Sequence, residues 1–362
     1  MSEYDEVRPP EPARRGRGQG PGRGRRRPGG RRGGRAEELM VPEAAFTSYY
    51  DKPIVKAPPW GHEIPAYLFL GGVAGGSGLL AAGAQLTGRS LLRRNARLSA
   101  MAAIGLGGVA LVADLGKPSR FYNMLRTFKV TSPMSVGSWI LTAFAGGLTV
   151  TVGAEVDRMS GERLPLGPLR PVLRALEGPA GWEAAVFAAP LAGYTAVLLA
   201  DTAVPTWNAT HRDLPFVFVS SASLASAGLA MITTPAHEAG PARALALMGV
   251  VGDVVAMKAM ERRMDPVAAE PLHHGPAGTM LRWSERLAVA GAVGVVLGGR
   301  RRPVAVGAGL ALMTASALTR FGVFEAGIHS TKDPRYVVEP QRRRLAARRA
   351  AGETGDSITT AG

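Results

Sequence analysis

The feature that most constrains the fold of this 362-residue chain is a series of long apolar segments without charged residues. Residues 64–86 form 23 consecutive uncharged residues, residues 134–154 form 21 and residues 214–236 form 23. An α-helix needs about 20 mostly apolar residues to cross the hydrocarbon core of a bilayer. These three segments are long enough, and they predict an integral membrane protein.

Five further apolar segments are shorter or carry charges near their ends. They comprise residues 98–115, 184–200, 244–259, 287–299 and 304–319. The last two are separated by three arginines at 300–302 and could instead form one hairpin. We predict an all-α integral membrane protein with about eight transmembrane helices, seven or nine being the alternatives.

Small residues and tryptophans support the same prediction. The apolar segments are rich in Gly, Ala and Ser. So much Gly destabilises soluble helices, whereas small residues let membrane helices approach closely. Tryptophans concentrate at membrane interfaces. All five fall at or near predicted span ends: Trp60, Trp139, Trp182, Trp207 and Trp283.

The net charge of +15 and a pI near 10.9 first suggest a nucleic-acid binder. However, residues 8–35 hold eleven Arg and one acid, and residues 340–350 hold five Arg and no acid, so two short runs supply the whole excess. Such segments cannot bury a core, and we predict disordered Arg-rich tails. A solvated arm near anionic membrane lipids or an acidic partner is favoured over an RNA-binding arm, and nucleic acid is not an expected partner.

Eight spans would place both termini on one side of the membrane. Loops on the tail side carry eight Lys and Arg and the opposite loops twelve, but four more beside the first and last spans equalise the counts. The positive-inside rule therefore does not choose a side. Because translocating so basic an arm is unfavourable, we expect cytoplasmic tails on a multi-pass protein of the cell (plasma) membrane.

The chain has no cysteine, which excludes disulfides, thiolate zinc sites and iron–sulfur clusters ligated by its own thiolates. Its six histidines all lie outside the predicted span centres, whereas a membrane haem b needs two axial histidines projecting from helices. We therefore expect no haem, iron–sulfur cluster or metal site in this chain.

Charges inside a bilayer cost free energy and mark functional candidates. Asp253 is the one acid that the sequence places well inside a span, and Lys258 follows five residues later. The pair fits a structural contact and a proton or ion relay equally well. A solute or ion transporter that uses Asp253 and Lys258 is the alternative function.

Polar groups converge where the first three spans meet one membrane face. His62 and Glu63 enter the first span, Asp114 leaves the second and Trp139 begins the third. A histidine, two carboxylates and aromatic rings suit a lipid-soluble quinol, which needs hydrogen-bond partners, a proton acceptor and an apolar slot. Interface anchoring and helix capping explain the same residues, and transporters also gather such groups.

Four sequence blocks resemble the NrfD/polysulfide reductase membrane-subunit family, and the resemblance extends over residues 55–345. The blocks are Trp60-Gly61-x-x-Ile64-Pro65-x-Tyr67, Asp114-Leu115-Gly116-Lys117-Pro118, Ser132-Pro133-Met134-Ser135-x-Gly137-Ser138-Trp139 and Gly327-x-x-Ser330-x-x-Asp333-Pro334-Arg335-Tyr336. The resemblance implies an eight-helix domain over residues 56–330, built as two four-helix bundles. A disordered tail at 1–55 would precede it, and a polar tail at 331–362 would follow.

The resemblance also implies a quinone site in the first bundle. His62 would hydrogen-bond the ring, Asp114 would accept a proton or act as a brace, and Tyr67 and Trp139 would be neighbours. Tyr194, on the fourth span, matches no motif of the family and is a weaker candidate. Glu63 joins Asp253 and Lys258 as a candidate for proton relay.

Members of this family serve as membrane subunits of oxidoreductase complexes and are not enzymes alone. The resemblance implies that this chain exchanges electrons between menaquinone or ubiquinone and a four-cluster ferredoxin-like iron–sulfur subunit. That subunit would pass them to or from a molybdopterin catalytic subunit.

Overall fold

The computed structural model describes residues 53–352, whose regular elements are all α-helices. In chain order they are α1 (Glu63–Leu86), α2 (Ser90–Asp114), α3 (Arg120–Arg126), α4 (Pro133–Met159), α5 (Leu169–Ala200), α6 (Pro205–Ala209), α7 (Leu214–Thr233), α8 (Gly240–Arg263), α9 (Pro266–His273), α10 (Gly275–Gly298), α11 (Arg302–Ser330) and α12 (Arg335–Ala350). The all-α prediction is confirmed for this part of the chain.

Six of the eight long helices are both long and apolar enough to cross a membrane, namely α1, α2, α4, α5, α7 and α11. Both α8 and α10 have 24 residues, which is sufficient length, but charged side chains lower their apolar content. The protein is therefore a multi-pass membrane protein, and its seventh and eighth crossings remain predictions.

The long helices pair along the chain as α1 with α2, α4 with α5, α7 with α8 and α10 with α11. Helix α1 also packs about equally against α5 and α7, so the two halves of the chain share a broad interface. Two separate four-helix bundles therefore remain a prediction. We call the end that contains Glu63, the first residue of α1, the proximal end, and the end that contains Leu86 the distal end.

Glycines on α1 allow this close packing. A Cβ atom at Gly75 would lie 2.6 Å from the backbone oxygen of Ala188, and one at Gly78 would lie 2.7 Å from the Phe144 ring. Both neighbours belong to other membrane helices, α5 and α4. The Gly-rich first span thus brings helix backbones together, as small residues do in membrane bundles.

Two helices extend past the charged residues that ended the predicted spans. Helix α4 continues beyond residue 154 and buries Glu155 and Asp157, and α11 continues beyond residue 319 with Arg320 fully buried. Trp207 also differs from its predicted place at a membrane interface. It is fully buried and stacks on Trp60 with ring centroids 5.8 Å apart. The interface-belt prediction is therefore wrong for Trp207, because this ring faces protein.

The C-terminal arginine run is helical. Residues 335–350 form α12, in which Tyr336 and Pro340 are buried. Arg343 Nη1 lies 3.1 Å from Asp265 Oδ1, and Arg335 pairs with Glu270, whose hydrogen bond raises the pKa of that guanidinium. The prediction of disordered tails is wrong for residues 335–350, because the acids beside and within α9 provide partners. The N-terminal arginine run lies outside the described residues.

Candidate functional site

A cavity of about 130 Å³ lies at the proximal end among the first five helices. It is lined mainly by apolar side chains and by a few polar groups. The lining residues are Trp60, Ile64, Tyr67, Leu68, Leu111, Asp114, Leu115, Phe121, Met124, Met134, Ser138, Leu141, Tyr194 and Leu198. An apolar cavity with a few convergent polar groups is the usual form of a small-molecule site.

Two tyrosines bring phenolic hydroxyl groups to this cavity. Tyr67 on α1 is 3% exposed, and its hydroxyl contacts the Tyr194 hydroxyl on α5. Gly137 on α4 makes room for the second ring, since a Cβ atom there would lie 2.5 Å from Tyr194 Cδ2. Three helices therefore determine where the two hydroxyls meet.

Asp114 lies at the proximal end of the cavity, where α2 ends. Its Oδ1 accepts a hydrogen bond of 3.4 Å from the Gly61 backbone N–H, which ties the entry of α1 to the exit of α2. Gly116 has a φ of +66°, a left-handed conformation that favours glycine, and it turns the chain towards α3. This turn gives the Asp-Leu-Gly block its geometry and presents the carboxylate to the cavity.

Ser132 and Ser135 fix the start of α4 beside the cavity. The Ser132 hydroxyl accepts a hydrogen bond of 3.4 Å from the Ser135 N–H, and Pro133 takes the first helical position. The Ser135 hydroxyl in turn donates to the Thr127 carbonyl at 2.9 Å. These contacts form an N-cap that places Met134 and Ser138 in the cavity wall.

Of the four predicted quinone-binding residues, the structure places Tyr67 and Asp114 in the cavity lining. The His62 side chain is 84% exposed, and its Nδ1 lies 3.9 Å from Glu325 Oε1 of α11. Trp139 points out of the cavity and meets Phe128 edge-on, with ring centroids 6.0 Å apart. Glu63 is exposed in the first turn of α1. Quinone binding by these residues stays a prediction.

Asp253 and Lys258, the two candidate intramembrane charges, differ in exposure. Asp253 is 5% exposed, whereas Lys258 is more than half exposed and lies 4.0 Å from Glu285 of α10. Both line a second cavity of about 180 Å³ between α8, α9, α10 and α11. Arg320 is a further buried charge of the membrane helices, which the sequence analysis missed because it marked the end of a predicted span.

The sequence matches the family described as Polysulphide reductase, NrfD over residues 53–257, which is more than half of the chain. The chain belongs to the NrfD family. The match contains the first cavity and Asp253 but ends before α10 and α11, so the C-terminal block of resemblance lies outside it. None of the curated proteins matches this sequence significantly.

Within residues 53–352, no group of three or more His, Asp and Glu side chains is arranged to hold a metal ion.

Proposed function

We propose that this NrfD-family membrane protein is the quinone-reactive subunit of a multi-subunit oxidoreductase and that it binds the quinone headgroup in the cavity of Tyr67, Tyr194 and Asp114. The observation that carries the proposal is this set of three polar groups in a mainly apolar cavity. The cavity lies among the helices that match the family.

The polar groups of the cavity fit a quinone and its reduced form chemically. Quinone carbonyl oxygens accept hydrogen bonds, and the contact between the Tyr67 and Tyr194 hydroxyls uses only one of their two protons. The other proton is therefore free to be donated to a ligand oxygen. Quinol hydroxyls need an acceptor, which the carboxylate of Asp114 provides at the outer end of the cavity.

When bound, the quinone supplies the exchange of two electrons and two protons. The chain orients the ring through the tyrosine hydroxyls and excludes water with Leu68, Leu111 and Leu141. Asp114 holds or releases a proton at the proximal end, where His62 Nδ1 lies 3.9 Å from Glu325 Oε1. Proton exchange from this end needs no path across the membrane.

The proposed electron partner is a four-cluster ferredoxin-like iron–sulfur subunit bound at the proximal end, followed by a molybdopterin catalytic subunit. A chain without cysteine provides no thiolates for an iron–sulfur cluster, so clusters would have to come from a partner. The cavity lies beside the proximal surface, which keeps the quinone ring near such a partner. Either menaquinone or ubiquinone fits this chemistry.

The test is quinol-linked turnover of the purified complex with Tyr194→Phe, Tyr67→Phe and Asp114→Asn. We expect at least about a tenfold loss of turnover for Asp114→Asn, as for removal of a general base, with the complex still assembled. The tyrosine variants should raise the KM for quinol. Tyr122→Phe is the matched control, since this tyrosine of α3 is 72% exposed and lies outside the cavity lining. Full turnover and unchanged KM in all three variants would refute the site.

A further inference from the structure

Arg320 is a fully buried arginine within the membrane-spanning helix α11. Its guanidinium lies 3.7 Å from the centroid of the Phe218 ring, and its Nη2 donates to the Phe218 carbonyl at 2.6 Å. Its Nε and Nη1 have no hydrogen-bond partner. Gly72 of α1 makes space for this side chain, because a Cβ atom there would lie 3.0 Å from Nη2.

Asp253 of α8 is also a buried charged residue with a polar atom that lacks a hydrogen-bond partner. It is 5% exposed, its Oδ1 has no hydrogen-bond partner, and it lines the second cavity. The described contacts include no ion pair between Asp253 and Arg320 within 4.0 Å, although the two charges attract each other. A buried guanidinium of α11 and a buried carboxylate of α8 thus each have polar atoms without a hydrogen-bond partner.

The cavity extends from Asp253 towards the proximal end. In its wall the Ser284 and Thr319 hydroxyls form a hydrogen bond of 2.7 Å, and the Ser284 hydroxyl is also hydrogen-bonded to the Ala315 carbonyl. Titratable side chains line the wall towards the proximal end: Lys258 and Glu261 of α8, His273 of α9, and Arg282 and Glu285 of α10. Helix α7, which packs on the other side of α8, contains no charged residue.

Water is the simplest group that satisfies the unpaired Asp253 Oδ1 in this cavity. An unpaired buried charge is costly, and a polar cavity with several hydrogen-bond partners holds water. A volume of about 180 Å³ is large enough for several waters, each of which occupies about 30 Å³ in the liquid. Water in the cavity would connect Asp253 to the exposed pair of Lys258 and Glu285.

We infer that this second cavity is a hydrated proton-binding site, in which Asp253 exchanges a proton with the proximal surface and Arg320 stabilises the deprotonated carboxylate. In the uptake step a hydronium ion gives its proton to the Asp253 carboxylate and becomes water, and release is the reverse. The cations Arg320 and Lys258 beside the site disfavour a metal cation such as Na⁺. The site is separate from the proposed quinone cavity and does not depend on it.

Dicyclohexylcarbodiimide tests this site because it modifies protonated carboxyl groups in apolar surroundings. The unsubstituted full-length protein would be labelled in native membrane vesicles at several pH values, and peptides would be quantified by mass spectrometry. We expect Asp253 to be modified at acidic pH and its labelling to fall several-fold as the pH rises. Glu155 is the matched control, since it is equally buried but ion-paired with Arg93 and Arg97 and should remain unlabelled.

Two substitutions of Arg320 and the addition of Na⁺ complete the labelling test. Arg320→Gln removes the stabilising charge, so labelling of Asp253 should persist to more alkaline pH, whereas Arg320→Lys should resemble the unsubstituted protein. Absence of labelling at every pH, or labelling that does not change with pH, would overturn the inference. Protection by Na⁺ would show a metal-cation site instead. None of these readouts requires quinone turnover, so a failure here is distinguishable from a failure of the quinone site.

Discussion

At the scale of single residues, Gly137 shows how a small side chain sets the chemistry of the first cavity. It lies one helical turn from the capped start of α4 and directly against the Tyr194 ring. No signal in the sequence joined Gly137 to Tyr194, because the two residues are distant along the chain and on different helices. The Ser-Pro-Met-Ser-x-Gly block could be recognised from the sequence, but the tyrosine that it accommodates could not.

Gly137→Ala should displace Tyr194 and weaken quinol binding. The Cβ atom of an alanine here would lie within 2.5 Å of Tyr194 ring atoms, and overpacking of this kind costs about 1–3 kcal/mol. We expect a lower thermal midpoint in detergent and a raised KM for quinol. Gly146→Ala on the same helix is the control, since a Cβ atom there meets nothing within 4 Å. Equal effects of both substitutions would argue against a specific role for Gly137.

At the scale of helices, the predicted apolar segments match the observed helices well where no charged residue interrupts them. Where a charged residue appears, the predicted segment ends before the helix does. The rule that a charge terminates a span fails for Glu155 and Arg320, because both side chains face other helices and find partners or polar neighbours there. Hydropathy reports the cost of exposing a charge to lipid. It does not report which face of a helix a charge occupies.

The distal ends of α1, α2, α4 and α5 are joined by an ionic cluster around Arg97. Its Nη1 lies 2.9 Å from Glu155 Oε1 and 2.5 Å from Glu177 Oε1, and its Nη2 donates to Gln85 at 2.6 Å. Arg158 forms two hydrogen bonds with Glu177, at 2.6 and 2.8 Å. Arginines that the sequence analysis counted only as loop charges therefore connect four helices.

Arg97→Met should destabilise this half of the protein. Removing one partner of a buried ion pair typically costs about 3–5 kcal/mol, because the remaining charges are left uncompensated. The measurement is chemical unfolding in detergent followed by tryptophan fluorescence. Arg94→Met on the same helix is the control, since Arg94 bonds the adjacent Asn95 and lies outside the cluster. A stability loss no larger than that of the control would show that the cluster contributes little.

At the scale of the whole molecule, the two cavities lie at the same end. Tyr67 and Asp114 line one cavity, Lys258 and His273 line the other, and His62 contacts Glu325 of α11 at that end. The sequence predicted convergence at the first site from the direction of three spans. It singled out Asp253 and Lys258 of the second but missed Arg320, because Arg320 lies in a helix that its own charge had truncated in the prediction.

The number of crossings and their direction can be tested together by single cysteines, because the chain has no cysteine of its own. His237 and Arg300 are exposed at the distal end, and His274 is exposed at the proximal end. If α8 and α10 both cross, a membrane-impermeant maleimide should label His237→Cys and Arg300→Cys from one side and His274→Cys from the other. With cytoplasmic tails, the first two label in intact cells and His274→Cys labels only after lysis. Labelling of all three from one side would mean that neither α8 nor α10 crosses, and the reverse pattern would place the proximal end outside the cell.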